Sequence, residues 1–217
     1  MKSAESVDWF LKVNNVAAIL LAAGRSERMG AFKPLLPFGD KTILESAIAS
    51  FVDAGVNSIV VVHAWRAAEI RAQLKGAKVI FAINPDPFGD MGSSISCGVS
   101  ELPQDTKAVL ISPADLPAIP PSVVKAVVQS WEHGSRLVIP TWKERGGHPV
   151  LVDQSYFGEL QALDPGAGLR KFFRGHANGT TRLAVNSEYI ARDLDTWDDY
   201  VELHQEIFGK TPPDVGS

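Results

Sequence analysis

Five short runs of β-branched and apolar residues recur along the chain: VAAILLA (16–22), SIVVVH (58–63), KVIFAI (78–83), AVLISP (108–113) and RLVIPT (136–141). Each is continuous rather than alternating, which is the pattern of a strand covered on both faces. Between them, segments 42–54, 67–74 and 122–131 carry apolar residues at helical spacing, with Thr, Gly, Ser or Pro where caps belong. Strand, helix and strand in regular succession make βαβ units, so the expected fold is a three-layer α/β/α sandwich around a mainly parallel sheet. Ligand sites in such a sheet lie at the carboxyl ends of the strands. After Pro140 the rhythm changes: GGHPVLV (146–152) and TTRLAV (180–185) read as further strands around a Gly-rich connection, DPGAGLRKFF (164–173), and TWDDYVELHQEIF (196–208) reads as a closing helix.

With 217 residues, 45% of them hydrophobic, the chain can bury one sizeable core. One domain is expected over 16–208, with an N-terminal extension at 1–15 and a polar, Pro-rich, frayed tail at 209–217. The 21 basic and 25 acidic residues give a net charge of -4 with no long run of either sign, which argues against nucleic acid or an anionic membrane as partner. Anion binding must then be local. A single cysteine, Cys97, leaves no disulfide framework and no thiol cluster for zinc, in keeping with a reducing cytoplasm. No run reaches the roughly 20 apolar residues that a bilayer span needs, and residues 1–15 mix acids into a broken apolar pattern, so a soluble, unprocessed, cytoplasmic protein is expected.

The first strand runs into LAAGRSERMGAFKPLL (21–36), a cationic loop between two apolar elements. Ala22, Ala23 and Gly24 would let a base or ribose lie against the main chain. Arg25, Arg28 and Lys33 supply cations for phosphate oxygens, the arginines as planar forks and the lysine as a mobile point charge. A solvated loop with ordinary turn glycines is the alternative. The spacing matches neither the Walker loop nor the Gly-x-Gly-x-x-Gly fingerprint, which disfavours P-loop kinases and dehydrogenases.

This stretch, Leu-Ala-Ala-Gly, then Arg-Met-Gly, then Lys followed by Leu-Leu, resembles the signature of the nucleotidyltransferase superfamily. NPDPFGDMGSSISCGV (84–99), SPADLPAI (112–119), RGGHPVLV (145–152), DPGAGLRKFF and DLDTWDDY (193–200) follow in the order seen in the molybdenum cofactor cytidylyltransferases, relatives of the molybdopterin guanylyltransferases. The resemblance spans residues 16 to about 200 and departs at SPADLP, where Gly-Asp-Gln-Pro is usual, and at DTWDDY, where Pro often follows Thr.

It implies a Rossmann-like nucleotidyltransferase fold and transfer of CMP from CTP to the phosphate of the molybdenum-pterin cofactor, with pyrophosphate leaving. It also implies Arg28 on the β and γ phosphates, Lys33 on the α-phosphate, and Asp115 as a ligand of Mg2+ or alternatively Mn2+. A nucleotide site formed by Leu21, Ala22, Ala23, Gly24, Arg25, Asp86, Gly92, Ser93 and Ser94 is implied too. Asp115 follows an apolar strand directly, which by itself suits a metal carboxylate. Asp195 is read either as a second metal ligand or as a helix N-cap. The hydroxyls and Gly92 of DMGSS (90–94) are read either as base and ribose contacts or as a cap alone. Ala23, in place of a glycine common among guanylyltransferases, favours CTP, with GTP, a sugar phosphate acceptor or a regulatory nucleotide-binding domain as alternatives.

Gly147, His148 and Pro149 are expected at the acceptor, with Arg145, Gly146, Arg170 and Lys171 nearby; a bulge and a packed histidine are the simpler alternatives. A molybdenum hydroxylase or its insertion chaperone is the implied protein partner. Loss of Lys33 is expected to lower turnover more than nucleotide affinity, because its bond would strengthen in the transition state. Cys97, Trp65, Trp142 and Trp197 read as core or core-edge residues. His63, His133, His176 and His204 lack metal-ligand spacing.

Overall fold

The structure is a computed structural model, described here for residues 15–24, 29–86, 88–163, 166 and 168–213. The five apolar runs form β1 (Val16–Leu21), β4 (Ser58–His63), β5 (Ile80–Ile83), β6 (Ala108–Pro113) and β7 (Leu137–Trp142). Between β1 and β4 lie a short hairpin, β2 (Pro37–Phe38) and β3 (Lys41–Thr42), and helix α1 (Ile43–Val52). Helices α2 (Ala67–Gln73), α3 (Met91–Ser100) and α4 (Pro121–Glu132) complete the βαβ succession. Then come β8 (Arg145–Gly146), β9 (Val150–Asp153), α5 (Phe157–Gln161), α6 (Gly168–Gly175), β10 (Thr180–Ala184) and α7 (Trp197–Phe208).

The main sheet runs in the order β10-β7-β9-β6-β1-β4-β5, with β8 added beside β7. β1 pairs in parallel with both β4 and β6, β4 with β5, and β10 with β7. β9 runs antiparallel between β6 and β7. The sheet is mainly parallel, with helices on both faces.

Side-chain alternation along β1 divides the core. Ala18 and Leu20 join Leu44 and Phe51 of α1, Ile70 of α2 and Val124 and Val127 of α4. Ile19 faces the other way, toward Ile95 of α3, Leu160 of α5 and Leu169, Phe172 and Phe173 of α6. A third cluster lies off the sheet, where Leu194, Tyr200 and Leu203 pack on Met29, Leu36, Phe38 and Ile43.

The segment expected as a Gly-rich connection at 164–173 is different in its second half. α6 starts at Gly168, and its apolar residues 169, 172 and 173 follow the three-to-four residue spacing of a buried helical stripe. Leu116, the departure at SPADLP, is 2% exposed and belongs to the core beneath α4, so it does not face the strand ends as a polar residue would. Among the described residues no helix is long and apolar enough to cross a membrane.

Candidate active site

The chain leaves β1 for β4 and β5 on one side, then returns to β6 on the other, so the loops after β1 and β6 part company at the carboxyl edge. That divergence opens a crevice in doubly wound sheets. Register brings the two loops to one level, because Leu21 lies opposite Pro113. The Ala114 NH then bonds the Leu21 carbonyl at 3.1 Å, and the Ala22 NH bonds the Val62 carbonyl at 2.8 Å.

A cavity of about 260 Å3 occupies this edge. Leu21, Ala22, Ala23 and Gly24 form one wall, Lys33 and Pro34 the next, Ala114 and Asp115 another, and Gly89, Asp90, Met91 and Ser94 the last. A Cβ on Gly24 would meet nothing within 4 Å, so protein packing does not require glycine there. The space it leaves opens on the cavity.

Lys33 sits in a 3-10 turn, Lys33–Leu35, and is only 9% exposed. Its ammonium donates to Asp115 Oδ2 at 3.4 Å and to Asp195 Oδ1 at 3.3 Å. Three residues separated by 82 and 162 positions thus meet at one point. The third core cluster makes this possible, since it holds the segment before α7 against the residues flanking Lys33. Burial pushes the Asp115 carboxyl above its ordinary range, Lys33 pulls it back, and the negative Asp193 pushes it up further. The lysine therefore favours the charged form of that carboxylate.

Asp195 is not the helix cap. Thr196 takes that role, with its hydroxyl accepting from the Asp199 NH and the Asp199 carboxylate accepting from the Thr196 NH, a reciprocal capping box. Asp195 lies one residue outside and is free of that duty, which lets it meet Lys33.

At the start of α3, Asp90 is the cap: its carboxylate accepts from the Ser93 NH at 2.9 Å and also from the Gly166 NH. These bonds hold the Asp90 carboxyl below its usual range. Asn84 donates to the hydroxyls of Ser93 and Ser94 at 2.9 and 3.0 Å. Of the three residues expected here, Ser94 lines the cavity, while Gly92 and Ser93 do not. Asp86 also stays off it; its carboxylate accepts from the Phe88 NH at 2.9 Å and so shapes the turn before α3.

Of the residues expected at an acceptor, Gly147 is buried, and a Cβ there would lie 2.3 Å from the Ile190 carbonyl oxygen. Its missing side chain makes room for the protein's own backbone. The His148 NH bonds the same carbonyl at 2.7 Å, and the His148 Nδ1 lies 3.2 Å from the Ile111 carbonyl of β6. Burial lowers the His148 pKa, against the opposing effects of that carbonyl and of Asp193. The imidazole is thus neutral near pH 7, with Nδ1–H as the donor. Pro149, joined to His148 by a cis peptide, is buried as well. Arg145 and Gly146 are exposed on β8, and Arg170 and Lys171 on α6.

Arg25 and Arg28 lie outside the described residues. Sequence reasoning did not reach Pro34, Gly89, Asp90, Met91, Pro113 and Ala114, nor Asp193 as a charge acting on both Asp115 and His148. Gly89 carried a readable signal: a glycine after a turn and before a helix cap, where a Cβ would lie 2.4 Å from Ser93 Oγ. Cys97 packs against the α3 side of the core, where burial raises its thiol pKa. Trp65 and Trp142 border the opposite core, and Trp197 stacks edge-on against Tyr200.

Residues 18–181 match the model of the MobA-like NTP transferase domain. The chain is 28% identical over 193 residues to nicotine blue oxidoreductase of Paenarthrobacter nicotinovorans, covering 83% of this chain and 92% of that protein. It is 24% identical over 196 residues to the molybdenum cofactor cytidylyltransferase of Escherichia coli K12, covering 88% and 98%. It also matches the bifunctional protein GlmU of Geotalea uraniireducens at 30% identity over 132 residues, 59% of this chain, although it spans only 28% of that longer protein. Among solved structures, Rv0371c of Mycobacterium tuberculosis H37Rv superposes with a TM-score of 0.80 at 24% identity, covering 88% of this chain and 98% of the other. A manganese complex of Rv0371c superposes at 0.74 with 23% identity, covering 88% and 98%. The chain belongs to the family of the MobA-like NTP transferase domain.

Proposed function

We propose that this nucleotidyltransferase moves CMP from CTP to the phosphate of the molybdenum-pterin cofactor and releases pyrophosphate. The observation that carries the reading is the meeting of Lys33, Asp115 and Asp195 beside a cavity walled by the small-residue turn 21–24. In the reaction an acceptor phosphate oxygen bonds to the α-phosphorus as the bond from that phosphorus to the β-bridging oxygen breaks. The electron pair leaves with pyrophosphate. The protein's share is to align the two phosphates and to neutralise charge.

Asp115 and Asp195 fit a divalent cation. Both offer hard carboxylate oxygens, and the Lys33 ammonium already marks the point where positive charge is favoured between them. Among the described residues no group of three or more His, Cys, Asp or Glu side chains could hold a metal. That suits magnesium, which usually takes one or two carboxylates and completes its shell with water and phosphate. Held by Asp115 and Asp195, the cation would supply positive charge to offset the negative charge that builds on the leaving group. The similarity to a manganese complex supports a divalent ion without choosing between the two.

Lys33 would hold an α-phosphate oxygen, Ala22, Ala23 and Gly24 the nucleoside, and Ser94 the ribose. Arg25 and Arg28 would meet the outer phosphates. The methyl of Ala23, in the cavity wall, would leave less room for a purine, which favours CTP, and the similarity to the E. coli cytidylyltransferase supports the same choice. Gly92, Ser93 and Asp86 would act by shaping the turn before α3, and Gly147, His148 and Pro149 by shaping the acceptor side. The product would pass to a molybdenum hydroxylase or its insertion chaperone in the cytoplasm. One observation favours a second reading: the 28% identity to nicotine blue oxidoreductase makes an oxidoreductase on this fold the alternative. The two carboxylates around a lysine weigh for phosphate chemistry.

The test is to supply Mg2+, one triphosphate and one acceptor to the purified protein and to measure pyrophosphate. CTP with the phosphorylated pterin should give release, and Lys33→Met should lower kcat about 10²–10³-fold with a smaller change in KM for CTP. A preference for GTP overturns the base assignment, and release only with sugar 1-phosphates overturns the acceptor. No release from any pair sinks the reading.

A further inference from the structure

The lysine that would serve the α-phosphate stands between the two carboxylates that would serve the metal. We propose that Lys33 and the divalent cation compete for the same pair of carboxylates, so that metal binds productively only after a triphosphate has taken the ammonium. This rests on the reading of the site as a metal-dependent nucleotidyl transfer centre, and adds an order of events to it.

Geometry sets the competition. Asp115 Oδ2 and Asp195 Oδ1 lie 3.4 and 3.3 Å from one nitrogen. Magnesium requires oxygen at about 2.0–2.1 Å, so the same oxygens would have to close on a smaller ion of twice the charge. The two positive charges would crowd one another: an ammonium within hydrogen-bond reach of both oxygens would stand beside that ion. The lysine side chain is 11% exposed and Asp115 27%, against 49% for Asp195, so solvent screens that repulsion least on the Asp115 side.

Ligand number points the same way. The described residues offer this site two metal-binding carboxylates and no cluster of three. Protein oxygens alone therefore cannot satisfy a magnesium shell, and water and phosphate oxygens would finish it. The same phosphates draw the lysine, because its ammonium lines the cavity in which they would lie. A lysine is suited to such a transfer: it is a point charge on a flexible stem and needs no fixed donor plane. One triphosphate thus vacates the carboxylates and supplies the missing ligands in a single event. The arrangement keeps adventitious divalent ions off the carboxylates between turnovers.

Mn2+ is the probe, followed by its electron paramagnetic resonance signal, with purified full-length protein and no nucleotide. Wild type should leave the Mn2+ signal almost unattenuated. Lys33→Met, checked for folding by circular dichroism, should take up one Mn2+ at least about tenfold more tightly, and adding Asp115→Asn should remove that gain. Equal Mn2+ affinity in wild type and Lys33→Met overturns the proposal. If Lys33→Met does not fold, wild type decides alone. Stoichiometric Mn2+ uptake without nucleotide overturns the proposal; uptake only with a methylene-bridged, non-cleavable CTP analogue, seen as enhanced water-proton relaxation when protein is added, supports it. None of these signals depends on turnover. Failure of the cytidylyl reading shows instead as absent pyrophosphate, so the two failures are distinct.

Discussion

His63 ends β4 with none of its surface exposed and with neither ring nitrogen hydrogen-bonded. Its ring stands edge-on to Phe81 at 6.0 Å. Burial, and then the charge of Arg71, lowers its pKa below 6.5, so the folded protein holds this ring neutral. The unfolded chain binds a proton there as pH falls below about 6.5. The sign follows: the unfolded state gains protons first, so the stability due to neutral His63 is complete above that pH and is lost below it. The slope from one such group is at most about 1.4 kcal/mol per pH unit. His148 titrates in the same direction and adds its own share. Urea unfolding of wild type at pH 7.5 and 5.5 should show the loss, and His63→Phe should reduce it without removing the part due to His148. An unchanged pH slope in His63→Phe would show that the ring finds a partner on protonation. This residue was not legible in the sequence, because a histidine closing an apolar strand gives no sign of whether its nitrogens are bonded. Asp195 was half legible: its position before a helix suggested a cap, but the pair Thr196 and Asp199 makes the better capping box and releases it.

At the scale of elements, the five strands and the helices between them could be read because each follows a local rule: a continuous apolar run or a helical stripe. The site's first wall was legible for the same reason, since Leu21 ends β1 and residues 22–24 follow directly on it. What could not be read were contacts made by folding distant elements together. Gly147 is the clearest case. Its sequence suggested clearance for a substrate, yet the space is filled by Ile190, 43 residues further on, in the 3-10 turn Glu188–Ala191 that leads to Asp193 and Asp195. The glycine thus links the turn between β8 and β9, which carries His148, to the segment carrying Asp193 and Asp195. Gly147→Ala should cost about 1–3 kcal/mol, the usual range for overpacking, because the clash is with backbone and cannot be relieved by a rotamer change. Since Ile190 must move, the displacement should also reach Asp195. Gly146→Ala is the comparison: its Cβ would meet side chains alone, Ile139 at 3.1 Å and the end of Arg182 at 3.9 Å. Thermal unfolding should separate the two variants, and equal melting temperatures would count against the link.

The molecule as a whole has a core on each side of its sheet, which the alternation of strands and helices announces, and a third cluster that it does not. That third cluster brings α7, the last helix, back to the loop after β1. Tyr200, fully buried, donates its hydroxyl to the Pro37 carbonyl, and burial pushes the phenol pKa up to about 12. His204 adds a second tie: the Gly39 NH bonds its Nε2 at 3.3 Å, while its Nδ1 lies 2.7 Å from the Lys210 carbonyl. These contacts hold α7 against the residues on either side of Lys33, and Asp195 lies two residues before α7. Loosening the cluster should therefore harm catalysis by more than its cost in stability. Leu203→Ala, at a fully buried position of α7, should lower stability by about 2–5 kcal/mol. Val124→Ala, fully buried in α4 among residues of the sheet core, supplies the control. At a temperature where calorimetry shows both variants folded, Leu203→Ala should lose a larger share of kcat, because only there does the lost packing lie between the lysine and its carboxylate. If the two variants lose activity in proportion to their stability alone, the third cluster is scaffolding and does not position the site.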